Sequence, residues 1–448
     1  MTERDVALTV AGSDSGGGAG IQADLKTIEA HGVFGTSALT SVTAQNTRGV
    51  EAIEDVPAET IAAQISAVAD DFAVSAAKTG MLSSAAIIET VADSLAEHEF
   101  PLVVDPVMVA QSGDRLLAAE AETVLKEQLL PQATLVTPNL PEAAVLTDME
   151  IEDEDDMRAA AAAIAADGPD AVLVTGGHLH EDELVDVLAT DGETHTFRKA
   201  RRDTDDTHGS GCTISAAIAA ELAGGATMPA AVEHAERFID RAVRYGLAVG
   251  SGDGPVNHLA GLYDDAARAD VLDDVRALVE TIEENEIDAL VPEVGLNVAV
   301  ATPYAMDGDD VAAVDGRLHR TADGVAAVGC PRFGTSDHVA RSLLAAREHD
   351  HSVVAAATVR LDDAVAEAVT DQFDAVEVDR TIQSDSDSTG ESRSESAVWA
   401  VEQAMDDRET VPDAVFDRGA VGEEVICRLF AASPVVLEER LLALADAI

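Results

Sequence analysis

The chain has 448 residues, 47% of them hydrophobic, and 85 acidic against 28 basic residues give a formal charge of −57. That much apolar material excludes disorder as the reason for the charge, and a surface so negative speaks against nucleic acid and anionic membranes as partners. At about 150 residues per domain the length suggests two or three domains.

Self-repulsion of this size destabilises a compact state unless salt screens it, and at ~1 M ionic strength the Debye length is roughly 3 Å. The acids run along almost the whole length. A nucleic-acid mimic or an acidic tail would concentrate them, so the pattern reads as a solvated surface adapted to a salt-rich cytoplasm. Lysine is confined to positions 26, 78, 126 and 199, and arginine supplies the other cations. Cys212, Cys330 and Cys427 lie far apart with no CxxC or HExxH, which supports neither a disulfide scaffold nor a structural zinc site and fits a reducing cytosol. "MTERDVALTVAG" lacks a long apolar stretch, and no run reaches the ~20 apolar residues of a membrane span. The expectation is a soluble, cytoplasmic protein that binds small molecules and forms a homo-oligomer.

In chain order, "VALTVAG" leads through a glycine loop to "IQADLKTIEAHG", and "FAVSAAKTG", "PLVVDPVM", "ATLVTPN" and "DAVLVTGG" follow, each separated by a helix-length segment. Near-continuous apolar strands alternating with helices imply an α/β unit with a mostly parallel sheet covered on both faces. Ligands bind such sheets at the carboxyl ends of the strands. After "GPVNHLAGLY" the rhythm changes, and a charged helical stretch leads into "LVPEVGLNVAVATP". A boundary near residue 265 therefore separates residues 1–264 from a second, smaller α/β domain, 265–448. "SDSDSTGESRSES" (384–396) reads as a mobile surface loop within it.

"HGSGCT" (208–213) stands before the apolar run "ISAAIAAELAGG". Gly209, Ser210, Gly211 and Cys212 at the mouth of a helix could cradle a transferring phosphoryl group, or could be a tight turn ending in a small core thiol. Asp105 in "VVDPVM", with Asn139 and Glu142 in "TPNLPEA", could converge on Mg²⁺–nucleotide phosphates. Equally, Asp105 could cap a strand end and Glu142 serve a helix dipole. There is no GxxxxGK[ST], so this is not a P-loop enzyme.

"GGGAGIQADLKT", "SVTAQNT", "KTGML", "DPVM", "TPNLPEA", "GGH", "HGSGCT" and "GPVNH", in that order over residues 4–262, resemble the hydroxymethylpyrimidine and phosphomethylpyrimidine kinases of thiamine biosynthesis, which have the ribokinase-like fold. The resemblance implies that Gly12, Asp24, Gln45 and Met81 line the pyrimidine pocket. It also implies that Asp105 and Glu142 serve the Mg²⁺–ATP phosphates and that Gly209–Cys212 form the anion hole, with Cys212 as the base that takes the hydroxymethyl proton. A thiol at a helix N-terminus is expected to have its pKa lowered from about 8.5 toward neutrality, which suits that task. Thr175 stands where many relatives place lysine.

"GRLHR" (316–320) and "GCPRFGTSDHVARSLLAAR" (329–347) gather five arginines and two histidines in a chain short of basic groups. Arginine forks bind diphosphate oxygens and histidine shuttles protons, although arginines can also simply neutralise an acidic surface. Residues 272–446 resemble the archaeal-type thiamine-phosphate synthase domain. That resemblance implies catalytic roles for Arg317 and His338 and substrate contacts from Arg332, Arg341, Asp417 and Arg418. Related domains in transcription regulators only sense thiamine phosphate, and pyridoxal-type kinases share the fold of the first part. These are the two rival readings.

The charge reading predicts that the melting temperature rises steeply between dilute buffer and molar KCl. A flat dependence in a thermal-unfolding series removes it.

Overall fold

The computed structural model describes residues 4–109, 116–117, 120–176, 183–190, 192–322, 324–379, 393–406, 408–417 and 425–448. The chain divides into two compact units, Met1–Gly261 and Leu262–Ile448.

The first unit begins β1 (Val6–Ala11), α1 (Gly20–Ala30), β2 (Phe34–Leu39), β3 (Ser41–Asn46), β4 (Gly49–Asp55), α2 (Ala58–Ala69), β5 (Val74–Thr79), α3 (Ala85–Leu95) and β6 (Leu102–Val104). It continues α4 (Ala121–Val124), β7 (Leu135–Val136), α5 (Leu140–Thr147), α6 (Glu154–Ala165), β8 (Val172–Thr175), β9 (Glu183–Ala189), β10 (Thr194–Ala200), α7 (Ser210–Ala223) and α8 (Met228–Arg244). Eight strands form one sheet in the order β10-β9-β8-β7-β6-β5-β1-β2, while β3 and β4 make a separate hairpin. The six strands from β2 to β8 run parallel, and β9 and β10 are antiparallel.

Burial on both faces explains the continuous apolar strands: all six residues of β1 are buried. Leu8, Val10, Ala77, Val104 and Val136 pack beneath the α2–α6 side. On the other face, Val103, Leu135 and Leu173 meet Ile214, Ala217 and Ile218 of α7. Helix α7 is enclosed along most of its length, and its alanines let it lie close to the sheet. The carboxyl ends of β1, β5, β6, β7 and β8 are followed by Gly12, Gly80, Asp105, Thr137 and Gly176, so the residues singled out above gather on one rim.

The second unit contains all but the first two residues of α9 (Ala260–Glu284), then β11 (Asn297–Ala301), β12 (Val311–Val314), β13 (Leu318–Thr321), β14 (Gly324–Ala327), β15 (Pro331–Phe333) and α10 (Asp337–His349). Then come β16 (Ala355–Arg360), α11 (Asp363–Gln372), β17 (Ala375–Val378), α12 (Arg393–Met405), β18 (Ala414–Asp417), β19 (Ile426–Ala431) and α13 (Pro434–Ala447). Its sheet, β15-β12-β11-β16-β19-β18-β17, is antiparallel except for the β17–β18 pair, and β13–β14 is a separate hairpin. One face carries Ala299, Ala301, Ala356 and Phe430 against Val339 and Leu343 of α10 and Val401 of α12. The other carries Val298, Val300 and Leu429 against Val275 of α9, Val365 of α11 and Leu441 of α13. The expected loop at 384–396 lies outside the described residues as far as 392, and its last four residues begin α12.

Among the described residues nine acidic side chains are buried, so the acid excess is a property of the surface of both units. No helix among them is long and apolar enough to cross a membrane.

Candidate active sites

In the first unit the glycine-rich loop after β1 is wound around a buried carboxylate. Asp14 accepts the backbone N–H groups of Gly16, Gly18 and Ala19 at 2.7, 2.9 and 2.8 Å, and His208 Nε2 lies 3.3 Å from its Oδ2. Burial pushes the Asp14 carboxyl up, but His208 and the Ala19 and Gly16 N–H groups outweigh it and hold the pKa below its ordinary value. This pair ties the glycine loop to the "HGSGCT" turn across 194 residues of sequence.

Two glycines there are required by the protein itself. At Gly209, with φ +82°, a Cβ would stand 1.9 Å from Gly18 O, and at Gly18 it would stand 2.5 Å from the His208 ring. Gly211 differs: a Cβ there would meet nothing within 4 Å. No side chain caps α7; Ser210 N donates to Thr207 O at 3.1 Å, and the Gly211 and Cys212 N–H groups that follow meet no capping side chain.

Beneath this turn lies a buried charge cluster. Lys78, at the end of β5, has no exposed surface and donates to Asp24 Oδ1 at 2.8 Å, with Asp105 Oδ2 at 3.9 Å. Thr9 donates to the other Asp24 oxygen at 2.6 Å, and Ser215 to Asp105 at 3.2 Å. Burial pulls the Lys78 ammonium down, but the Asp24, Cys212 and Asp105 charges prevail and hold its pKa above the ordinary lysine value.

The lowered pKa expected for Cys212 at a helix start is corrected. Burial pushes the thiol up to about 12, with the Asp105 and Asp24 charges adding to it, against the opposing pull of Lys78 and the Gly20 N–H. The helix terminus alone would lower the thiol pKa, but desolvation by the packed rim is the larger effect.

Asp105 is raised to about 6, burial coming first, Asp24 adding, and Lys78 and Ser215 opposing. Glu142 rises to about 8 through burial and the Asp105 charge, against the Asn139 and Met108 N–H groups. Asn139 and Glu142 form a reciprocal capping box at the start of α5, with bonds of 3.0 and 2.9 Å, and Met108 N donates to Glu142 at 3.3 Å. The helix-terminus reading of Glu142 thus describes its bonds, while its charge still faces Asp105. Thr175 N donates to Pro138 O at 2.9 Å beside this box.

Gly12 and Met81 are neighbours, a Gly12 Cβ standing 3.3 Å from Met81 Sδ. Gln45 on β3 is tied to the glycine loop through Ser15 at 2.7 and 2.8 Å. Asp24, expected in the same pocket, lies deeper, with both oxygens engaged as described. His258 of "GPVNH" is buried; burial, then Lys26 and His208, hold its pKa down to about 4.

In the second unit a cavity of about 260 Å³ is lined by Asn297, Val314, Gly316, Arg317, His319 and Ser336. Arg317 (φ +69°) and Ser336 (φ +58°) are two of the three non-glycine residues in the left-handed region among those described. Such conformations cost on the order of 1–3 kcal/mol and cluster at functional sites. Arg317 Nη1 donates to Val294 O at 3.0 Å, and His319 approaches Gly316 O at 3.2 Å. At Gly295 a Cβ would stand 2.8 Å from the His319 ring.

The remaining expected residues are dispersed. His338 sits in the first turn of α10, beyond Ser336, and Arg332 pairs with Asp315 at 3.0 Å near the Arg317 turn. Arg341 pairs with Asp337 at 3.1 Å and faces a separate groove. Asp417 is in the sheet interior, bound by Arg428 at 3.0 Å, and Arg418 lies outside the described residues. Arg347, one of the five clustered arginines, is buried and donates to the His351, Val353 and Pro303 carbonyls.

Sequence reasoning did not single out Lys78, Asp14, Asn297 or Ser336, and His208 and His319 stood inside quoted motifs without a role of their own. Lys78 did carry a signal: a lysine ending an apolar strand in a chain with four lysines.

Lys78→Met should lower unfolding free energy by about 3–5 kcal/mol, because it leaves buried carboxylates unpaired. Urea unfolding measures this, and a loss below about 1 kcal/mol would contradict the cluster's charge balance. Iodoacetamide at pH 7.5 should modify exposed Cys330 well before Cys212 and the buried Cys427, as read by peptide mass mapping. Preferential labelling of Cys212 would overturn its raised pKa.

Residues 14–257 match the family described as phosphomethylpyrimidine kinase, and residues 274–443 match thiamine-phosphate synthase ThiN. The hydroxymethylpyrimidine/phosphomethylpyrimidine kinase of Streptomyces coelicolor is 52% identical over 251 residues, covering 56% of this chain and 93% of that protein. The thiamine biosynthesis bifunctional protein ThiED of Geobacter sulfurreducens is 49% identical over 262 residues, covering 58% of this chain and 54% of that one. Among solved structures, the ADP complex of Bacillus subtilis pyridoxal kinase aligns with a TM-score of 0.54 at 41% identity, covering 57% of this chain and 98% of that one. The chain belongs to the phosphomethylpyrimidine kinase family and joins an ATP-dependent hydroxymethylpyrimidine and phosphomethylpyrimidine kinase to a thiamine-phosphate synthase domain in one polypeptide.

Proposed function

We propose that both phosphorylations occur on the rim formed by the glycine loop, the end of β5 and the start of α7, and that the condensation occurs at the Arg317 cavity. Gly211 carries the kinase assignment. Its lack of a side chain answers no need of the protein's own packing, and glycine at an open helix start suits close approach of a phosphoryl group. The Gly211 and Cys212 N–H groups then face the charge that develops during transfer. Gly12, Met81 and Gln45 border the space for the pyrimidine ring, and Asp24 anchors Lys78 below it.

Cys212 would take the hydroxymethyl proton as the alcohol oxygen bonds to phosphorus and the bond to the ADP oxygen breaks. Asp105 and Glu142 would hold Mg²⁺. Three buried carboxylates, Asp24, Asp105 and Glu142, outnumber the one buried ammonium of Lys78, and the buried Thr79 and Thr137 hydroxyls have no protein partner. No three metal-ligating side chains converge among the described residues, which suits an ion held by one or two carboxylates and substrate phosphates. Such a cation would neutralise the Asp105 charge that now opposes a thiolate at Cys212.

In the second unit, Arg317 would hold the departing pyrophosphate as the bond from its oxygen to the pyrimidine CH₂ breaks and the thiazole nitrogen bonds to that carbon. Thiazole phosphate is the co-substrate. A cavity bordered by a guanidinium and an imidazole supports catalysis over mere sensing. The likeness to a pyridoxal kinase keeps pyridoxal as a competing substrate for the first site. The acid-rich surface suits a salt-rich cytoplasm, and a homo-oligomer is the proposed assembly.

One reaction tests the whole reading: the full chain in high salt with hydroxymethylpyrimidine, ATP, Mg²⁺ and thiazole phosphate, following the pyrimidine phosphates and thiamine phosphate by mass. Cys212→Ala should slow both phosphorylations about 10²–10⁴-fold. Arg317→Ala should stop thiamine phosphate formation while the pyrimidine diphosphate accumulates. Wild-type product from Arg317→Ala would favour a sensing module, and faster turnover of pyridoxal than of the pyrimidine would overturn the substrate.

A further inference from the structure

Asn297 opens β11 at the wall of the Arg317 cavity and is only 1% exposed. A buried carboxamide must find partners for two donors and for its oxygen. Here Nδ2 donates to Val314 O at 3.0 Å and to Ser336 Oγ at 2.7 Å, while Oδ1 accepts Val314 N at 3.1 Å and Val298 N at 2.9 Å. Val314 is the last residue before the turn that carries Gly316 and Arg317, and Arg317 N closes that turn on Val314 O at 3.4 Å. Ser336 is the residue from which α10 springs, and its hydroxyl meets Asn297 without capping that helix.

From this geometry we infer that Asn297 is a positioning residue of the condensing site, its one carboxamide holding the strained Arg317 turn and the strained Ser336 turn in register across the cavity. This rests on the reading that condensation takes place at that cavity. Each turn holds a non-glycine residue at positive φ, a conformation that persists only where surrounding bonds over-determine it. The turns are separate in sequence, and the Asn297 side chain bonds to both, while Thr335, beside Ser336, adds a bond to Ala313 O at 3.1 Å. No other polar residue type of this size offers both donors to Val314 O and Ser336 Oγ and an acceptor to two N–H groups. Aspartate keeps the shape and the acceptors but loses both donors. Asn297 therefore acts through Arg317 and Ser336 and sets their spacing.

The test uses the full chain, with kinase turnover in the same preparation as the control for protein quality. Asn297→Asp should lower kcat for condensation of pyrimidine diphosphate with thiazole phosphate about 10–100-fold, with KM changing less than about threefold, since misplacement of about 1 Å suffices for such a loss. Ser336→Gly removes the hydroxyl at a backbone conformation that glycine adopts freely, so it should fold even if Asn297→Asp does not, and should lower kcat about tenfold. The double variant should lose no more than the worse single one, because both remove the same bond. Wild-type kcat in Ser336→Gly, or losses that multiply in the double variant, would overturn the inference. Arg317→Ala separates the two failures. If it abolishes condensation while Ser336→Gly is wild-type, the cavity stands and the positioning role falls; if it retains full condensation, both fall.

Discussion

A single buried ammonium organises the kinase rim. Lys78 lies where β1, β5, β6, α1 and α7 meet, and it bridges Asp24 on α1 to Asp105 beyond β6 with Cys212 close by. Stripping a lysine of water is expensive, and only charges of opposite sign at hydrogen-bond distance offset it. The two carboxylates in turn need the lysine. Three elements remote in sequence are thereby held at one spacing, and Asp24 is coupled to Asp105 through a chain of charges.

The same rim shows why glycine and lysine appear where they do. Of the four lysines, Lys78 is fully buried and Lys199 half-buried, and each faces two acids: Asp24 and Asp105 for one, Asp186 and Glu236 for the other. The glycine loop and the "HGSGCT" turn touch backbone to backbone at Gly18 and Gly209, and Asp14 with His208 locks that contact. Cys212 sits within this packed ground, and close packing raises its pKa against the pull of the helix terminus.

The two units solve the siting problem differently. A parallel sheet collects loops at the carboxyl ends of its strands, so distant motifs reach one rim by topology alone. The antiparallel sheet of the second unit has no such shared rim. Its polar side chains enter as a lateral row, Asn297, Thr358 and Arg428 standing opposite one another on neighbouring strands, with Asp417 bound to Arg428. The cavity lies at the end of that row, under two turns at positive φ.

Much was legible in the linear pattern. Continuous apolar strands alternating with alanine-rich helices specify a two-faced parallel sheet, since only burial on both sides tolerates that composition. Ordered motifs such as "GGGAGIQADLKT" and "HGSGCT" identify the kinase, and the spread of acids marks a solvated surface. Tertiary structure alone decided the rest, because desolvation and cross-strand register depend on neighbours that are remote in sequence. It raised the Cys212 pKa where a helix terminus by itself predicts a fall. It turned Asp417 and Arg347 inward as structural partners, although both stand in charged motifs that read as ligand contacts. It also brought Asn297 between Arg317 and Ser336, a meeting that spacing along the chain does not encode.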